Sequence, residues 1–119
     1  MAAQLHVWLA VATALLLAAA GIEGAWRFVR RAPPTGLATR LDQVVLLALL
    51  ITSAGGLGVL VGGSSPASSL HYVYTVVALG LLPLVVTFTR GRSARVRASA
   101  TVVAALVALV VVFRLSQTG

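Results

Sequence analysis

The chain contains no cysteine, no lysine and only two acidic residues, Glu23 and Asp42, in 119 positions. Without thiols there are no disulfides, no thiolate metal centres, no iron–sulfur clusters and no covalent haem attachment through C-x-x-C-H. Any cofactor must therefore rest on histidine or on noncovalent contact. With so few acids, both expected near one face, no carboxylate relay crosses the molecule, and proton pumping by this chain alone is not expected. Charged residues of any kind make up 9% of the sequence, against 60% hydrophobic residues and a mean hydropathy of +1.05. That balance excludes a soluble domain.

What is abundant is apolar sequence in long runs. Four stretches, residues 3–26, 41–61, 66–88 and 94–113, each approach the roughly 20 residues that cross a hydrocarbon core. The expected fold is all-α: an integral membrane four-helix bundle forming a single four-span domain over residues 1–119. Leu5 to Ala20 has the apolar character of a signal peptide but lacks its basic leading segment, so it reads as a span.

The net charge of +7 is carried by arginine. Arg27, Arg30, Arg31 and Arg40 lie between the first and second runs, and Arg90, Arg92, Arg95 and Arg97 between the third and fourth. Arginines clustered in alternate connections are the positive-inside signature. Both basic loops are thus expected in the cytoplasm, with both termini on the extracytoplasmic side. The expected setting is multi-pass in a cell membrane, a prokaryotic plasma membrane, surrounded by lipid and with no nucleic-acid partner, because no soluble module is left to present the charge.

Helix starts are expected at Thr39 with Asp42 as a capping box, at Ser65 with Pro66 after it, and at Ser93. Glu23 and Arg27 have the i, i+4 spacing of a helical ion pair. Pro83 should kink the third span. Trp8, Tyr72 and Tyr74 toward one boundary, and Trp26 and Phe28 toward the other, have the distribution of interfacial aromatic belts.

Two residues stand out chemically. His6 and His71 lie near the starts of the first and third runs, which cross in the same direction, so the imidazoles share a depth near one face. Ionisable residues inside a membrane are costly and mark functional candidates. On helical spacing His6 is succeeded by Ala10 and Thr13, and His71 by Thr75 and Ala78, so each lies over small side chains. A shift of 65 residues also superposes Leu5-His6 on Leu70-His71, and Arg27 and Arg30 on Arg92 and Arg95, the pattern of a parallel repeat about an axis along the membrane normal. From the second run, Gly55 and Gly58, within the cluster that continues through Gly56, Gly62 and Gly63, reach the same depth. They serve either close ligand approach or ordinary small-residue helix packing. Arg114, at the far end of the fourth run, is placed either to bind the propionates of a haem or to snorkel to water.

The Leu5-His6 and Leu70-His71 pairs on alternate spans resemble the four-helix haem-binding membrane bundles of the cytochrome b type, and especially one half of haem A synthase. That resemblance implies haem b held by His6 and His71 as axial metal ligands; by their own depth and spacing, Gly55, Gly58 and Arg114 are expected around it. Only one bundle is present and no acid neighbours either histidine, so the resemblance implies electron transfer rather than haem modification. An accessory electron-transfer subunit with no catalytic activity of its own, joined to other membrane subunits of a larger respiratory complex and exchanging electrons with quinol or an external carrier, is one reading. The other is a non-catalytic structural or assembly subunit without a cofactor. A zinc or copper site on two histidines alone is short of ligands.

Overall fold

The computed structural model describes residues 2–63, 65 and 68–118 and is all-helical. Its four helices are α1 (Ala2–Arg30), α2 (Gly36–Val61), α3 (Leu70–Thr89) and α4 (Ala94–Thr118). Each is long and apolar enough to cross a membrane. The bundle is 49 Å long and 22 × 19 Å across, so its ends pass well beyond a hydrocarbon layer about 30 Å thick.

α1, α2 and α4 are longer than their apolar runs because their polar ends stay helical, whereas α3 is shorter than its run. α1 continues past Trp26 through Arg30 and closes in a Schellman motif: Ala32 N–H donates to Arg27 O (3.0 Å) and Arg31 N–H to Phe28 O (3.4 Å). Arg31 takes the left-handed conformation there, with φ 53°, a position usually given to glycine. Pro33 and Pro34 bar helix across the connection, so α2 begins at the first opportunity after them. Thr35 caps it, its hydroxyl accepting from Ala38 N–H at 3.3 Å. The expected cap at Thr39 is therefore corrected, for that residue lies inside the first turn and returns its own hydroxyl to Thr35 O. α3 opens at Leu70 rather than at Pro66, with Ser68 Oγ accepting from Leu70 N–H; Pro66 itself lies outside the described residues. Ser93 accepts from Val96 N–H at 3.3 Å at the start of α4. Pro83 sits within α3, which remains helical through it.

The helices pack around a square. α1 contacts α2 and α4, α3 contacts α4 closely, and α2 meets α3 most loosely. α1 and α3 are diagonal, as are α2 and α4. Leu17, Val45, Leu49, Leu82, Ala108 and Val111 form the buried centre. Outside it, large apolar side chains such as Leu15, Ile22, Val61, Val76 and Phe113 are exposed, as expected where lipid rather than water is the neighbour.

Because lipid tails are as apolar as leucine, helices in a membrane associate through close contact of small residues. α4 supplies that surface with Ala98, Ala104, Ala105 and Ala108, all buried. Opposite it stand Gly21 and Gly24 of α1. A Cβ on Gly24 would come 3.1 Å from Thr101 Cγ2 and 3.3 Å from the backbone oxygen of Ala98, and one on Gly21 would come 3.2 Å from Ala105 Cβ. Gly80 of α3, by contrast, has open space around it. Gly24→Ala is expected to destabilise the bundle by about 1–3 kcal/mol through overpacking. Gly80→Ala should stabilise it by about 0.4–1 kcal/mol through the unfolded chain. Thermal unfolding in detergent checks both, and a stabilised Gly24→Ala variant would contradict the packing described.

Candidate functional site

The two histidines meet. His6 comes from the second turn of α1 and His71 from the first turn of α3, and their ring centroids lie 6.4 Å apart with planes inclined at 53°. They reach one another across the diagonal of the bundle, from helices whose backbones do not come close. The shorter lead-in to His71, a consequence of α3 starting at Leu70, does not separate them.

Each ring is held differently. His6 lies against α2, where a Cβ on Gly56 would come 3.2 Å from its Cε1 and 3.7 Å from its Nδ1. Glycine at position 56 gives the imidazole its room, since a Cβ there would press on the ring. Gly55 is also beside the ring, at 3.8 Å from Nδ1 by the same measure. Nδ1 of His6 is buried and has no hydrogen-bond partner among the described residues. An unsatisfied buried nitrogen costs about 1–3 kcal/mol. His71 has a backbone hydrogen-bonding partner in Leu115 of α4. A backbone carbonyl on one nitrogen fixes the imidazole and directs the other nitrogen elsewhere.

Beneath the rings is a cavity of about 500 Å³, mostly apolar. Ala10 and Thr13 from α1 and Thr75 and Ala78 from α3 line it, together with Thr52 and Ser53 of α2 and Leu115 and Ser116 of α4. The small residues one and two turns below each histidine thus form its walls, as their spacing predicts. On the α2 side the polar atoms are arranged tightly. Thr13 Oγ1 contacts Leu9 O at 2.8 Å and Thr52 Oγ1 at 3.0 Å, while Thr52 Oγ1 contacts Ala48 O at 2.7 Å. Two hydroxyl protons serve three contacts, so one of the three lacks a donor at any moment.

Two expected site residues are placed otherwise. Gly58 has nothing within 4 Å of its would-be Cβ and faces away from the rings. Arg114 is at the correct end of α4 but exposed, with Nη1 donating to Gln117 Oε1 at 3.2 Å, and it is not among the residues lining the cavity, although Phe113, Leu115 and Ser116 are. Gly56, Thr52, Ser53 and Leu115 complete the site instead. The glycine cluster carries the signal for Gly56. Leu115 acts through its backbone and has no signature.

At the opposite end, Glu23 and Arg27 form the expected ion pair, Oε1 to Nε 2.7 Å, with side chains 11% and 3% exposed. Arg95 of α4 lies over the Phe28 ring at 4.5 Å, a cation–π contact that ties the two helix ends. Among the described residues no group of three or more His, Cys, Asp or Glu side chains converges as metal ligands, so the imidazoles stand as a pair.

Comparison with known proteins finds no matching family, no matching curated protein and no matching solved structure.

The roles of the two glycines separate cleanly. Gly56→Leu should displace the His6 ring and lower the unfolding temperature in detergent by several degrees, through about 1–3 kcal/mol of overpacking. Gly58→Leu should change it little. Equal sensitivity at both positions would show that the ring does not depend on the space that Gly56 leaves.

Proposed function

We propose that this chain is a small multi-pass protein of a prokaryotic plasma membrane that holds haem b between His6 and His71 and serves as an accessory electron-transfer subunit of a larger respiratory complex. The observation that carries the reading is the spacing of the rings. Two imidazoles bound through nitrogen to opposite sides of one metal, at about 2.0–2.1 Å per bond, have centroids roughly 6.3–6.5 Å apart. His6 and His71 stand at 6.4 Å.

The surroundings fit the same group. Two ligands are fewer than zinc or copper usually takes, but they suffice for an iron whose other positions a tetrapyrrole fills. The unpartnered Nδ1 of His6 marks a buried donor set short of one partner. His71, fixed from behind through Leu115, has the outer support common to metal-bound histidine. The adjoining cavity presents mostly apolar walls of small side chains, suited to a flat aromatic macrocycle. Once bound, haem supplies reversible one-electron chemistry at iron. The chain's own part would be to hold the group through His6 and His71, to exclude water from it and to set the polarity around it.

A site near one membrane face does not carry electrons through a core about 30 Å thick. The electron must therefore be exchanged with quinol, with an external carrier or with a neighbouring subunit. Both acids, Glu23 and Asp42, lie at the arginine end, so no carboxylate relay of this chain leads from the histidines across the membrane.

Purified protein supplied with haem should show the narrow bands of bis-imidazole haem that sharpen on reduction. His6→Ala and His71→Ala should each abolish them while the far-ultraviolet helical signal persists. Arg114→Ala should retain the bands, its effect confined to midpoint potential. A normal bis-imidazole spectrum in either histidine variant, or a folded wild-type protein that binds no haem, overturns the assignment.

A further inference from the structure

A second cavity, again of about 500 Å³, lies at the arginine-rich end of the bundle, where α2 and α3 are most loosely packed. It is polar at one end and apolar at the other. Arg27, Asp42, Arg90 and Arg97 line its polar part, and Leu46, Leu82, Pro83 and Val86 line the rest. Pro83 and Val86 are exposed on the outer surface of the bundle, so the cavity opens sideways toward lipid.

The charges there are not matched within the chain. Glu23 neutralises Arg27, and that is the one ion pair among the described residues. Asp42 is the only other acid, and it makes no ion pair with Arg90 or Arg97. Two guanidiniums therefore face one carboxylate. Arg27 is itself 2% exposed, with Nε paired to Glu23 at 2.7 Å, so Arg90 and Arg97 carry the uncompensated charge at the cavity wall. Guanidiniums in excess over carboxylates favour an anionic oxygen.

We infer that this cavity is a binding site for an anionic phospholipid whose head group also carries hydroxyls, of the phosphatidylglycerol type. A phosphate diester accepts from planar guanidiniums in the bidentate manner that arginine favours. The head-group hydroxyls offer donors to the Asp42 carboxylate, which accepts no side-chain hydrogen bond among the described residues, whereas a phosphate monoester brings up to a second negative charge beside it. An acyl chain runs along the apolar wall past Leu46 and Val86 toward the bilayer centre. Basic pockets between transmembrane helices recognise anionic head groups in this way. The inference is independent of the histidine site at the other end of the bundle.

The test is native mass spectrometry of the full chain in detergent, with phosphatidylglycerol, phosphatidic acid or phosphatidylcholine added at equal concentration. One phosphatidylglycerol should be retained per chain, at roughly tenfold or more over phosphatidylcholine, and Arg97→Gln and Arg90→Gln should each weaken retention about fivefold. Asp42→Asn should remove the preference for phosphatidylglycerol over phosphatidic acid while keeping both above phosphatidylcholine. Arg90 is exposed, so its variant keeps the test valid should Arg97→Gln fail to fold, which circular dichroism reports. Equal retention of phosphatidylcholine and phosphatidylglycerol, wild-type loading of the folded Arg90→Gln variant, or displacement of the lipid by glycerol 3-phosphate overturns the inference.

Discussion

The whole arrangement depends on how closely α1 and α3 settle on α4. In a bilayer no difference in apolarity pushes helices together, so association rests on van der Waals contact at short range. The buried alanines of α4 and the glycines of α1 provide it. With α1 and α3 each pressed to α4, the span of the bundle diagonal is fixed. That diagonal is what separates the two imidazoles.

Polar groups inside the bundle obey a second constraint, that hydrogen bonds must be found within the protein. Threonines meet it by returning their hydroxyls to the preceding turn, as Thr75 does to His71 O and Thr101 to Arg97 O. Glu23 and Arg27 meet it by pairing. His6 Nδ1 is the departure, and departures of this kind concentrate where function overrides stability. Its lying in the same ring that Gly56 is shaped around gives the exception a location and a direction.

Much of this is legible in the chain itself. Four apolar runs become four helices, the i, i+4 spacing yields the Glu23–Arg27 pair, and the small residues at helical spacing below each histidine become cavity walls. Periodicity is a local property, and these features are local. Rotation between neighbours is not legible. Successive residues turn by about 100° around a helix, so Gly56 and Gly58 point to nearly opposite sides, and Gly58 faces open space. A rotation of a single residue likewise leaves Arg114 outside a wall formed by Phe113 and Leu115. The start of α2 is ambiguous in sequence because Thr35 and Thr39 can each cap a helix, and the consecutive prolines just before Thr35 decide for the earlier one. The arginine-end cavity gathers residues from four segments of chain, and no run or repeat announces it.

The loose meeting of α2 with α3 divides the molecule into two hairpins, α1–α2 and α3–α4, joined chiefly through α1 and α4. Each hairpin is sequential in the chain and carries one imidazole. Neither alone can grip a ligand that requires both rings. A ligand that required both rings would find them together only where the two hairpins meet, so such a site would be complete only in the docked four-helix bundle.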